Sequence, residues 1–265
     1  MMNTIKKLRF GTHIVCLIAV IIFMYPLCLM LIKSFAVDGF SNYSRVFKRY
    51  NLLKNFFSSV VIATGTLLIT GIVVSLAAFA FSKLEFRFKK TIYYIILMGM
   101  MIPASALIFP LFRTIKVMGL LNTRVSLIFP YATLSSCGSL MILKNYFDAI
   151  PNQLMEAARI DGASKFRTFW SVMMPVAKPG VAYVLIQTFV GTWNELQMAM
   201  IFITDTERQP LSVIPLRFTQ TVGSSDFPIQ VMFAALVICL APIAIFYVFA
   251  SRFMVAGLTT GAVKG

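Results

Sequence analysis

Two short constellations hold the groups best suited to chemistry in this chain. The first is Glu156-Ala-Ala-Arg-Ile-Asp-Gly162, where three charged side chains flank two alanines and the run ends on glycine. Carboxylates and a guanidinium at that spacing can make charge-assisted hydrogen bonds to a partner. The alanines let the backbone approach that partner closely. The second is Glu195, the one acidic residue inside a long apolar block, with Gln187, Gly191, Asn194 and Met198 on the same helical face. An ionisable group so placed faces a bundle interior or an aqueous path. The alternative is a polar clamp between helices, made to a neighbouring serine or threonine. The spacing allows both.

Other chemistries lack their residues. There is no Gly-x-x-x-x-Gly-Lys-Ser/Thr phosphate loop, no zinc motif and no pair of catalytic carboxylates in a polar region. Cys16, Cys28, Cys137 and Cys239 all lie in apolar blocks, none spaced as a metal or redox pair, and read as small packing residues. His13, the single histidine, has no companions for a metal site. The chain is therefore expected to make or break no bonds, and to hold no metal or cofactor of its own.

The elements that position these residues follow from composition. Of 265 residues, 59% are hydrophobic and 12% charged, against about 25% charged in ordinary soluble domains. The apolar residues arrive in blocks, which places the chain in the helical membrane class. A hydrocarbon-spanning helix needs about 20 such residues. Six blocks meet that length: 13–32, 56–81, 92–112, 125–143, 181–203 and 230–250. The first follows Lys6, Lys7 and Arg9 and is followed by no small-residue cleavage site, so it reads as a retained anchor rather than a signal peptide.

The net charge of +15 would suggest nucleic acid in a soluble protein. Here the basic residues cluster between apolar blocks, where they set membrane orientation, and nucleic-acid binding is excluded on that ground. With both termini cytoplasmic, fourteen Lys and Arg fall inside and ten outside. The bias is narrow because the first outer loop carries Lys33, Arg45, Lys48, Arg49 and Lys54. That run reads as solvated charge, or as a face for an acidic binding protein or an acidic sugar. Pro26, Pro103, Pro110, Pro130, Gly99, Gly191 and Pro242 punctuate the spans, as in helices that line a path or simply pack closely.

The segment 144–180 is too long for a turn and too orderly for a linker. Pro151 suits a first helical turn, Leu154 to Ala158 are good helix formers, and Gly162 is placed to end the helix in a left-handed conformation. Ala163, Phe166, Phe169, Trp170 and Met173 then recur at helical spacing until Pro175 and Pro179 intervene. Two short helices at a glycine bend are predicted. They suit either a docking element or a pair lying at the membrane interface on Phe166, Phe169 and Trp170.

Glu156 to Gly162, with Met174-Pro175 and Pro179 after it, resembles the EAA loop of bacterial ABC importer permeases. Gly257-Leu-Thr-Thr-Gly-Ala-Val-Lys-Gly265 resembles the C-terminus of the maltose-type carbohydrate permeases, specifically the shorter of two partner subunits. Trp193-Asn194-Glu195, Met101-Ile-Pro103 and Gly119-Leu-Leu-Asn-Thr123 are similar to the same group. Ser251-Arg252 departs from it, since many relatives carry Gln-Arg there.

The resemblance implies an all-α, polytopic membrane protein of the type I ABC importer permease architecture. It would form a single permease domain, 1–265, with a first span (13–32), core spans (56–250), a coupling-helix (EAA) loop (144–180) and a cytoplasmic tail (251–265). It implies a carbohydrate importer subunit in a bacterial inner or plasma membrane. Its partners would be a second, longer permease, a dimer of cytoplasmic ATPase subunits that bind ATP and Mg, and an extracellular sugar-binding protein. Glu156, Ala157, Ala158, Asp161 and Gly162 would meet the ATPase. Gln187, Gly191, Asn194 and Glu195 are the candidates for the translocation path. The outer segment Thr204 to Pro228, which includes Thr206, Gln209, Pro210 and Asp226, would reach toward the binding protein. The competing readings are an importer of a non-sugar solute and a proton-coupled carrier built on Glu195. The second usually brings inverted repeats, and none is visible in this sequence.

Overall fold

A computed structural model describes residues 2–219 and 228–262, with side chains described for 13–219 and 228–251. Asp226 and the side chains of the Gly257-to-Gly265 motif lie outside the described residues. Among the described residues every regular element is helical. Four helices are long and apolar enough to cross a membrane: His13–Phe35, Leu52–Lys83, Val125–Ala149 and Ile229–Ser251. Two bent helix pairs bring the number up to six where each pair counts as one span.

The chain divides into two compact units. The first holds Met1–Asn51 and Ile214–Pro242. Its long helix α1 (Met2–Phe35) is followed by α2 (Ser41–Arg49). The turn between them is closed by the buried Asn42, whose Nδ2 donates to the carbonyls of Ser34 (3.0 Å) and Ala36 (3.1 Å). Phe35, Phe40 and Tyr43 stack around it. The segment expected to be an outer loop thus contains a short helix, and Arg45 is paired with Asp38 at 2.7 Å. Tyr50 meets Phe218 edge-on.

The second unit holds Leu52–Val213 and Ile243–Gly265. Its frame is α3 (Leu52–Lys83) against α6 (Val125–Ala149), with α10 (Lys178–Asn194) across both. Numbering between these runs in chain order: α4 (Lys89–Met98), α5 (Ala104–Val117), α7 (Gln153–Ile160), α8 (Lys165–Thr168) and α9 (Met174–Val176). The buried face of α3 is built largely of small residues, Ser59, Ala63, Thr66, Thr70 and Ala78. Small residues let membrane helices approach closely and gain dispersion contacts, since lipid offers no hydrophobic drive between them. Gly65 shows how close the approach is: a Cβ there would meet Ile128 Cδ1 at 2.7 Å. Gly180 of α10 is tighter still, with the Tyr146 ring 2.4 Å from where its Cβ would stand.

Two expected straight spans are broken. The third block was predicted as one helix over 92–112. Instead α4 runs into a 3₁₀ turn at Gly99–Met101, and α5 leaves at 101°. Pro103 is the cause: its ring disfavours the α conformation in the preceding residue, and Ile102 is extended at ψ 117. The fifth block was predicted over 181–203. Here α10 starts at Lys178, with Pro179 in its first turn, and stops at Asn194. Glu195 is extended at ψ 129, and α11 (Gln197–Phe202) follows. Upstream, Lys165–Val176 is bent 80° from α10.

Candidate functional site: a glycine-bent surface segment and a polar helix-lined cavity

The bend after α7 is built by local rules. Glu156 lies in the first turn, where a carboxylate complements the free amides and the helix dipole. At the other end Gly162 has φ +73. The Ala163 amide donates to the Ala158 carbonyl at 2.9 Å and the Gly162 amide to the Arg159 carbonyl at 3.1 Å. That pair of bonds is the Schellman cap, which requires a left-handed residue at the position of Gly162. Ser164 then opens α8, its Oγ accepting from the Arg167 amide at 3.2 Å. Pro151 precedes α7 rather than joining its first turn, and Asn152 is the cap residue.

The segment is seated by its interior. Phe169 and Met173, in a π turn, are buried with Phe79 and Phe147. Lys83 Nζ donates to the Ile150 carbonyl (2.6 Å) and to Asn152 Oδ1 (2.8 Å), fixing the start of the segment to α3. Of the five coupling candidates, Glu156, Ala157, Asp161 and Gly162 are exposed, and Ala158 is buried. Ile160 is 86% exposed and Phe166 65%. The outward surface therefore combines two carboxylates and Arg159 with exposed apolar side chains.

A second site lies between α6, α10 and the 3₁₀ break at Gly99–Met101. It is a cavity of about 470 Å³. Gln187, Gly191 and Glu195 form one wall at four-residue intervals. Asn194 does not line it; it is exposed, and its Nδ2 donates back to the Val190 carbonyl at 2.9 Å. Met198 lies beyond the helix break in the buried core. The opposite wall carries Tyr131, Ser135 and Ser139, and α10 adds Thr188 and Thr192. Sequence reasoning missed these, although Tyr131, Ser135 and Ser139 are spaced i, i+4, i+8 and so share one helix face. Gly99, Gly138 and Gly191 contribute bare backbone to the lining.

Glu195 is bonded between helices, to a tyrosine rather than to the expected serine or threonine, and it also faces the cavity. Its carboxylate accepts from the Tyr131 hydroxyl and from the amides of Met198 (2.9 Å) and Ala199 (3.2 Å). It caps α11 and ties that helix to α6, and it remains part of the cavity wall. Its own carbonyl accepts from Ser212 Oγ at 2.8 Å. The Thr188 hydroxyl, buried on the same wall, has no partner. Among the described residues no three His, Cys, Asp or Glu side chains gather as a metal site.

The segment after α11 is knitted to its surroundings. Asn122, at φ +61, accepts from the amides of Thr204 (3.2 Å) and Asp205 (2.9 Å) through Oδ1. Asn55 donates to the carbonyls of Thr206 (2.7 Å) and Gln209 (2.8 Å). Of the residues expected to face a binding protein, Thr206 is exposed, whereas Gln209 and Pro210 are buried. Gln209 is turned inward because its Nε2 donates to the Ile203 carbonyl at 2.6 Å.

Residues 71–259 match the family described as "Binding-protein-dependent transport system inner membrane component". The chain is 34% identical over 263 residues to the trehalose/maltose transport system permease protein MalG of Thermococcus litoralis, covering 92% of this chain and 93% of that protein. It is 28% identical to the diacetylchitobiose uptake system permease protein NgcG of Streptomyces coelicolor, covering 96% of this chain and 88% of that one. Among solved structures, a chain of a bacterial ABC transporter involved in the import of the acidic polysaccharide alginate aligns with a TM-score of 0.78 at 22% identity, over 93% of this chain and 96% of that one. On the family match and the near-complete alignment, this chain belongs to the inner membrane components of binding-protein-dependent transport systems.

Proposed function

We propose that this chain is one permease subunit of an ABC importer for a mono- or oligosaccharide. In this reading a second, longer permease completes the path, and a dimer of ATPase subunits binds ATP and Mg. An extracellular binding protein delivers the sugar. Both termini lie in the cytoplasm. The observation that carries coupling is the capped α7–Gly162 bend, whose exposed Glu156, Ala157 and Asp161 stand on a buried aromatic seat. Ala158 is turned inward rather than to the docking face. ATPase closure would push on α7, and the π turn and α10 would carry the displacement toward the cavity wall at Gln187, Gly191 and Glu195.

Sugar as cargo is supported by the printed functions of the relatives, trehalose/maltose and diacetylchitobiose transport. The cavity's hydroxyl, amide and carboxylate groups suit a polyol, which offers many donors and acceptors. The test is purification of the intact complex, mass spectrometry of its bound small molecule, and uptake into vesicles with the binding protein present. A saccharide in the complex and uptake that requires ATP are the expected results. Uptake driven by a proton gradient without ATP would overturn the reading in favour of a carrier centred on Glu195.

A further inference from the structure

We infer that the elbow between α3 and α4 binds the headgroup of an anionic phospholipid, in the leaflet on the α7 side of the protein. The elbow encloses a cavity of about 630 Å³, separate from the one at Glu195. Lys89, Lys90 and Lys144 line it beside Tyr93, Tyr94 and Phe88. Glu85 is the one carboxylate in the lining, so three cations stand there against one acid.

The cations are held by more than ion pairing. Lys144 is bonded to Asp148 at 2.6 Å and lies 5.3 Å from the centre of the Tyr93 ring. Its side chain is only 22% exposed, and that of Lys89 only 19%. Glu85, the partner of Lys89, is 91% exposed, and so exposed a pair holds Lys89 only weakly. Lys90 is exposed and makes no ion pair among the described residues. Net positive charge therefore remains at the mouth of the cavity.

Membrane depth fixes the ligand. The 32 residues of α3 extend about 48 Å at 1.5 Å per residue, against roughly 30 Å of hydrocarbon. The turns at Ser82 and Lys83 therefore emerge at headgroup level. Phe88 (61% exposed) and Tyr94 (62%) have the placement of interfacial aromatics. A basic pocket with apolar walls at that depth suits an anionic headgroup whose chains run down the protein. Asp148 also accepts from Ser82, and Lys83 holds Asn152 at the start of α7. The occupied elbow would thus sit in the same hydrogen-bond net as the coupling segment. The inference rests on the depth of α3 and not on cargo or coupling.

The test is native mass spectrometry of the whole complex, ATPase subunits included, released from nanodiscs of phosphatidylcholine mixed with phosphatidylglycerol. Wild type should retain phosphatidylglycerol in excess over its share of the bilayer. Lys89→Gln with Lys90→Gln should lower that enrichment about 30-fold, at roughly fivefold per interfacial cation. Lys116→Gln, at the end of α5, should leave it unchanged. The intact mass in the same spectrum verifies assembly of each variant. Unchanged enrichment in the double variant overturns the site. So does displacement of the lipid by inorganic phosphate at matched concentration, which would mean a phosphate site. Enrichment seen only after the ATPase is stripped would show that the ATPase, not lipid, occupies the elbow.

Discussion

Glu156 and Glu195 are both acidic residues at the start of a helix, and they are held by opposite means. Glu156 is exposed in the first turn of α7, and what surrounds it is set by residues within a few positions in the chain. Glu195 is fixed by Tyr131, 64 residues away, and by a helix break that its own carboxylate caps. The first presents its charge to the outside of the chain; the second holds three elements around a cavity. A docking surface can be made locally, because its energy is collected only when the partner arrives. A cavity wall must be satisfied inside the chain, because lipid and a packed core give a carboxylate nothing to bond to.

The largest effect should come from the local site. Glu156→Lys inverts a charge at the proposed interface, and like-charge contact there costs several kcal/mol. ATP-driven uptake into vesicles should fall by about 100-fold or more, with membrane insertion unchanged. Normal uptake would remove Glu156 from coupling. Gly162→Val comes next. No atom lies within 4 Å of the added Cβ, so the cost is conformational only. A β-branched residue at φ +73 should cost about 1–3 kcal/mol of the bend. Uptake should drop roughly tenfold, and Gly162→Asn should recover most of it, since asparagine tolerates the left-handed region.

Glu195→Gln probes the other side of the comparison. The amide oxygen can still accept, but the bonds lose charge assistance, worth about 1 kcal/mol or somewhat more. Uptake should fall less than for Glu156→Lys, by about five- to tenfold. Complete loss in a normally assembled complex would mark the carboxylate as a direct cargo ligand. Tyr131→Phe removes one donor and should cost about 1 kcal/mol in thermal stability. In a double-mutant cycle with Glu195→Gln the two losses should not add; additive losses would show that the hydrogen bond is not the link. The smallest effect should come from Lys54→Gln, which removes the exposed 2.7 Å pair with Glu207. Surface pairs contribute about 0–1 kcal/mol, so uptake should hold and the melting temperature should barely move.

Much of the site was legible before any coordinates. The bend at Gly162 could be read because a Schellman cap depends on a handful of neighbouring residues. The six apolar blocks could be read because hydrocarbon thickness sets one length for all of them. The break after Asn194 could not, since Gly191 lies nearly a turn before it and the capping carboxylate bonds across the gap itself. Pro103 did announce a break, yet a proline inside a membrane helix is compatible with a straight path as well as a 101° turn. Gln209 looked like a loop residue by type and is buried, because its amide reaches the carbonyl of Ile203.

The sequence by itself determined the solvent of this protein, the placing of its apolar blocks and the glycine bend at Gly162, all of which follow from lengths and local backbone chemistry. Only the tertiary structure decided which faces meet. It turned Ala158 inward, took Asn194 off the cavity wall, brought Tyr131 to Glu195 and gathered Lys89, Lys90 and Lys144 around one elbow. The helix contacts of this frame, α3 on α6 and α6 on α10, depend on Gly65 and Gly180 admitting Ile128 and Tyr146 at a distance no Cβ would allow. Such close approach is a property of two helices together, and the pattern along either one does not contain it.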